Sequence, residues 1–222
     1  MNYLVVVAHP DDECDIGGTI HKLIKRGNKI AVAILVSNVE ARRNLSHSLS
    51  EEEAKAMEIL GVDTIYHGGF PNIKMNVIPH LDIVQFVEKC IEAWNTEVII
   101  THHPADVNND HVNTSIAVQA ACHLYQRRMG IMPLKELLYM ESVGATEWVL
   151  DTSSERFTPN CFVEIGQEGI ELKEKAMAAY KVVVREFPHP SSIEACKGLA
   201  IYRGCQAGCN YAEAFQCVFR RA

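Results

Sequence analysis

The chain has 222 residues, 48% hydrophobic and 22% charged, with 21 Lys and Arg against 28 Asp and Glu for a net charge of -7. That length suits one well-filled α/β domain spanning residues 1–222. The acidic balance, with no basic block to offset it, argues against nucleic acid or an anionic membrane as partner. No apolar run reaches transmembrane length and the first residues enter a strand pattern directly, so a cytoplasmic protein without a signal peptide is expected. Eight cysteines in such a setting are expected to be reduced thiols. Cys196, Cys205, Cys209 and Cys217 lack the close C-x-x-C pairs of common structural zinc sites.

Tyr3 to Ala8 is an unbroken apolar run, the pattern of a strand buried on both faces. His9-Pro10-Asp11-Asp12-Glu13 follows at once, and Pro10 cannot donate to a ladder, so the strand is expected to stop there. Gly17-Gly18 then opens an amphipathic helix through Arg26, with Ile20, Leu23 and Ile24 at helical spacing. A strand handing over to a helix puts this imidazole and these carboxylates at the carboxyl edge of a sheet, where open α/β sheets hold their ligands. His9 and Asp12 can turn toward one point there, with Asp11 between them. Together they make a partial zinc-type ligand set that needs a further donor. Acidic residues alone would suit a helix N-terminus, but that explanation leaves His9 without a reason.

Lys29 to Val36 reads as the second strand, and Ser37 to Ser50 as a polar loop carrying Arg42. Ser50 and Glu53 form a capping box for a helix that ends at Leu60 before Gly61. Val62 to His67 is a third strand closed by a Gly68-Gly69-Phe70-Pro71 turn. Pro79 to Trp94 is a helix with an apolar stripe of Leu81, Val84, Val87 and Ile91. Glu97 to Thr101 is the fourth strand, and at its end comes a second polar cluster holding His102, His103, Asp106, Asn108, Asp110 and His111. A helix from about Val112 to Arg127 follows. Strand-helix alternation of this kind predicts a Rossmann-like, mostly parallel sheet with helices on both faces. In such a sheet the first and fourth strands can be neighbours, which brings His111 beside His9 as the third ligand. Further on, Leu137–Met140 and Phe162–Ile165 read as two more strands, Ile170–Val184 as a helix, and Ser191–Tyr202 as the last helix. The irregular stretch between those two strands, with Trp148, Arg156 and Phe157, is expected to wall a pocket.

The run A-H-P-D-D-E with G-G-T after it, the stretch H-P-A-D-V-N-N-D-H from His103 to His111, and R-G…Y-A-E-A-F from Arg203 to Phe215 resemble the LmbE-like, or PIG-L, family of metal-dependent de-N-acetylases. The resemblance runs over most of the chain. It implies a Rossmann-like sheet, a zinc ion (or Fe2+ or another divalent metal) and hydrolysis of the N-acetyl group of a small-molecule amino sugar. By position it makes His9, Asp12 and His111 the metal ligands and Asp11 the general base; beside them, Asp110 is expected to orient a metal-bound histidine. Many members carry a histidine where this chain has Asn108, so the oxyanion role falls to Asn108 as a neutral donor or passes to His103. Arg42 and His189 take the places of substrate contacts, although the family's H-P-R-S is here His189-Pro190-Ser191-Ser192. Two alternatives stand beside this reading: a non-catalytic sugar- or nucleotide-binding protein with a structural metal, and a metal-dependent amidase acting on a non-sugar amide. Self-association into a homo-oligomer is left open.

Overall fold

The computed structural model describes residues 1–38, 49–150 and 155–222. Its elements in order are β1 (Asn2–Val7), α1 (Gly17–Lys25), β2 (Lys29–Asn38), α2 (Ser50–Leu60), β3 (Thr64–Pro71), α3 (His80–Trp94), β4 (Val98–His102), α4 (Asn109–Ala121), the short α5 (Leu124–Arg127), β5 (Glu136–Met140), β6 (Cys161–Glu164), α6 (Gly166–Ala179), α7 (Ile193–Ala207) and β7 (Ala212–Arg220). All seven strands join one sheet in the order β3-β2-β1-β4-β5-β7-β6. The first five pair in parallel, while β7 runs antiparallel to both β5 and β6.

The unbroken apolar character of β1 follows from its central place. Val5 and Val7 pack on one face with Ile20 of α1, Met57 of α2 and Met177 of α6. Leu4 and Val6 pack on the other with Ile83 and Val87 of α3 and Ala117 of α4. A strand covered on both faces has no position left for a polar side chain. Strand order reverses at β1, whose neighbours are β2 and β4, and the reversal opens a crevice beyond the carboxyl ends of β1 and β4. On the first face α1 lies so close to the start of α6 that a Cβ on Gly18 would meet the Ile165 side chain at 2.7 Å.

Several elements differ from the sequence expectation. The Gly68–Pro71 segment is not a turn: β3 continues through it, pairing Phe70 with Val36 and Pro71 with Asn38 across two register irregularities. The capping box does not form, because Leu49 is the N-cap and the Glu53 carboxylate pairs with the His67 ring at 2.7 Å. Leu81 is exposed, and Ile83 and Cys90 take its place in the buried stripe of α3. The helix expected to reach Arg127 breaks after Ala121 into α4 and α5, α6 starts earlier and ends at Ala179, and the last helix runs from Ile193 to Ala207. The seventh strand was not foreseen. Arg42 and the rest of the 39–48 segment lie outside the described residues.

Candidate metal and active site

The turn after β1 is built to turn side chains into the crevice. Asp11 sits at φ 104, in the left-handed region that a non-glycine residue rarely occupies, and a 3-10 turn from Asp12 to Ile16 follows. Two contacts of the fully buried Glu13 hold this strained backbone: Oε2 accepts the Asp11 N–H at 3.1 Å, and Oε1 accepts the Tyr180 hydroxyl at 2.7 Å. Strain of this kind costs on the order of 1–3 kcal/mol and persists only where the surroundings enforce it. A second prop comes from α6 and β7. Glu213 accepts the N–H groups of Gly18 and Thr19 at 3.1 and 2.7 Å, capping α1, and pairs at 3.0 Å with the buried Lys173, which also donates to the Asp15 carbonyl.

Three donors meet in the crevice. One ligand-type atom each from His9, Asp12 and His111 lies within 4.8 Å of the other two, and all three residues are buried. The outward nitrogens are occupied: His9 Nε2–H donates to Asp110 at 3.1 Å, and His111 Nδ1–H donates to Asp106 at 3.1 Å. This leaves His9 Nδ1 and His111 Nε2 facing the Asp12 carboxylate at 3.3 and 3.4 Å. Carboxylates behind the ligating imidazoles fix their tautomers and orientation. Asp110 itself is held by the N–H groups of Ile73 and Met75. Two imidazole nitrogens and one carboxylate oxygen are the donor chemistry of an open catalytic zinc-type centre.

The electrostatics suit a bound cation. Burial opposes charge on His9, yet the bonds to Asp110 and Asp12 push its ring up to about 9. His111 is likewise raised well above the usual histidine value against its burial, by Asp12 and Asp106. Burial works against an ionised Asp12, but His111 and His102 bring it well below the ordinary carboxylate range. Raised in this way, both rings favour the protonated form beside these carboxylates. Asp11 is different: burial and the adjacent Asp12 raise it well above the usual value, and it lines the cavity without joining the three ligands. Burial also takes Glu13 to about 7, and Asp15 to about 7 against the pull of Lys173.

The cavity above these residues has a volume of about 350 Å³ and is also lined by Asn108, Ser142 and His189. Asn108 is the N-cap of α4: its Oδ1 accepts the Asp110 N–H at 3.0 Å, which leaves its Nδ2 as a donor. His189 is exposed, and its Nδ1 accepts the Ser191 N–H at 3.0 Å, so the neutral ring carries its proton on Nε2. His103 is not brought to the cavity. Its ring stands edge-on to Tyr139 and Phe157, and its Nδ1 accepts the Ala105 N–H at 3.1 Å. Its neighbour His102 turns inward instead, stacked on His111 at 3.9 Å with Nε2 accepting the Ala8 N–H at 3.0 Å. Arg156 and Phe157 wall a second, adjoining cavity of about 390 Å³ rather than the first, and Trp148 lines neither.

Sequence reasoning gave no role to Asp106, which it placed in the polar cluster after the fourth strand, to Glu213, which it placed in the Y-A-E-A-F run, or to Tyr180 and Lys173. Asp106 stands five residues before His111 in the same polar stretch, which is a usable signal. Lys173 interrupts the apolar stripe of Ile170, Ala176 and Met177 on α6, and a lone cation on a buried face asks for a buried partner.

A family model described as GlcNAc-PI de-N-acetylase (PIG-L) matches residues 4–122, which include His9, Asp12 and His111. The chain belongs to the PIG-L family. Membership makes it a hydrolase of the metal-dependent N-deacetylase class. Among solved structures, this PIG-L chain is similar to the conserved protein TT1542 from Thermus thermophilus, at 25% identity over 99% of this chain and 95% of that one, with a TM-score of 0.81. It shares its fold with N,N'-diacetylchitobiose deacetylase from Pyrococcus horikoshii (19% identity, 98% and 83% covered, TM-score 0.75). It shares it equally with GalB, the 4-carboxy-2-hydroxymuconate hydratase from Pseudomonas putida KT2440 (22% identity, 100% and 97% covered, TM-score 0.76). No match was found among curated proteins. No helix among the described residues is long and apolar enough to cross a membrane.

Proposed function

We propose that this PIG-L member removes the N-acetyl group from a small amino sugar by zinc-assisted hydrolysis, with Asp11 as general base. The observation that carries the reading is the convergence of His9, Asp12 and His111 beside a carboxylate, Asp11, that is left out of the ligand set. A divalent ion held by these three residues would supply Lewis acidity toward the amide carbonyl and lower the pKa of water to about 7. Zinc suits the donor set, which would also accept ferrous iron.

The remaining work falls to the chain. Amide hydrolysis needs a group that removes a proton from the attacking water and returns it to the departing amine. Asp11 lines the cavity, and burial beside Asp12 raises its pKa, the direction that such a shuttle requires. Asn108 Nδ2 is free to donate to the developing oxyanion, a contribution that is typically about 3 kcal/mol for one such donor. His103, turned toward Tyr139 and Phe157, is poorly placed for that task. His189 Nε2–H, at the cavity rim, is assigned to the substrate. Arg42 remains proposed as a substrate contact on resemblance alone.

A hydratase reading is suggested by GalB, whose 4-carboxy-2-hydroxymuconate carries carboxylates. No Lys or Arg is present among the described residues lining the cavity to receive such a ligand, which favours the deacetylase reading. The test is a screen of N-acetylated sugars for amine release by protein loaded with zinc or ferrous iron, with metal content measured on the same sample. Acetate release that tracks one bound ion per chain supports the proposal. Hydration of an unsaturated acid without any amide cleavage would overturn it.

A further inference from the structure

One carboxylate in the cavity has no part in the scheme above. Asp15 lies three residues after Asp12 on the 3-10 turn Asp12–Ile16, and side chains at that spacing eclipse one another on such a turn. It therefore faces the same cavity one turn further along, and it lines that cavity. Its backbone is fixed, because the Asp15 carbonyl accepts from the buried Lys173. The Ser142 hydroxyl stands beside its carboxylate, a contact short of normal hydrogen-bond geometry that still favours the charged form. A second polar group waits at the same wall. Ser142 is 95% buried, since only 5% of its surface is exposed, and its Oγ is without a well-formed partner. Ser142 lines both this cavity and the adjoining one. Buried polar groups left unsatisfied inside a cavity are satisfied by what enters it. A carboxylate is acceptor-only and has room for two or more donors.

We propose that Asp15, backed by the Ser142 hydroxyl, is the specificity subsite that accepts hydrogen bonds from the ring hydroxyls of an uncharged sugar. The absence of Lys and Arg from the described lining, with Asp15 in it, selects against anionic groups at this place. The assignment rests on the deacetylase reading for its substrate, but it concerns hydroxyl recognition and is testable without turnover.

The experiment compares ligands of matched ring size with and without hydroxyls, on the metal-loaded protein. Specificity constants are measured for N-acetylglucosamine and N-cyclohexylacetamide, and dissociation constants by calorimetry for glucosamine and cyclohexylamine. Asp15→Ala is expected to lower the preference for the hydroxylated member of each pair about 10- to 100-fold, the range for hydrogen bonds to a charged group. Metal content stays at the wild-type value, Asp15→Asn falls between, and Ser142→Ala loses a smaller factor. Equal losses on both members of a pair, which would mean that Asp15 reads the amine charge or only supports the turn, overturn the proposal. So does a wild-type protein with no preference for glucosamine over cyclohexylamine. A protein that hydrolyses neither amide, yet loses its glucosamine preference in Asp15→Ala, keeps this subsite and refutes the deacetylase reading. Turnover with the glucosamine preference intact in the variant does the reverse.

Discussion

Removing the Glu213 carboxylate tests how the active-site turn is held. Glu213→Ala strands the ammonium of Lys173, which is 5% exposed, and also leaves the N–H groups of Gly18 and Thr19 without their acceptor. Breaking a buried pair from one side costs about 3–5 kcal/mol. At about 2–4 °C per kcal/mol for a chain of this size, Tm falls by roughly 6–20 °C. Lys173→Met is milder, because Glu213 keeps both amide donors; about 1–3 kcal/mol is expected. The double variant carries no stranded charge and loses only the cap of α1, about 2–3 kcal/mol. The two changes are therefore strongly non-additive, with the double variant more stable than Glu213→Ala alone. Urea unfolding of all four proteins, fitted as a double-mutant cycle, measures this directly. Additivity within about 0.5 kcal/mol would refute the reasoning, since it would mean that the pair does not act as a unit.

Four other outcomes follow from the site. Asp11→Ala keeps its metal and loses about 10²- to 10⁴-fold in turnover, whereas His111→Ala loses metal and turnover together; elemental analysis beside a rate assay separates the two. Tyr180→Phe removes the hydroxyl that steadies Glu13 and with it the strained Asp11 backbone. It lowers kcat about 3- to 10-fold at unchanged metal content, the range for the loss of one ordinary hydrogen bond, and an unchanged kcat would remove Glu13 from the positioning role. Proton competition governs metal uptake: His9 titrates at about 9 in the metal-free protein and must shed its proton to ligate, so ion affinity rises with pH toward that value. For the metal-free fold the sign is opposite. His9 is raised, and so are Glu13 and Asp15, both at about 7, so their stabilising contributions are complete below their unfolded values and are lost as pH climbs through about 7 and then about 9. Melting of the stripped protein is expected to fall from pH 6 to 9, and a rising Tm over that range would contradict the assignment.

The parallel half of the sheet was legible because each of its strands is a short apolar run followed by a helix with its own spacing. What misled the reading was local punctuation. Gly68, Gly69 and Pro71 look like a turn in isolation, yet pairing with β2 carries the chain through them as strand. Residues 212–215 were read as part of a family motif and 216–220 were given no element, and the strand pairing of 212–220 with β5 depends on contacts some eighty residues back in the chain. At the site, His9, Asp12 and His111 could be named because strand ends meet at a sheet edge. Between His102 and His103 the sequence offers no choice: consecutive residues at a strand end face opposite ways, and only the placed strand shows that His102 turns to Asp12 and His103 to Phe157. The support from Lys173 and Glu213 spans forty residues and leaves no periodic trace beyond one cation on an apolar face.

The three candidate ligands come from two segments about a hundred residues apart, and they meet only once β4 has docked against β1. The unfolded chain therefore offers an ion no equivalent grip, and an ion at a hundred times its dissociation constant would add about 2.7 kcal/mol to the folded state. Metal supply would then govern not just the rate of each molecule but how many molecules survive. In a metal-starved cell the empty protein would open more often and be cut by proteases, and its amount would fall.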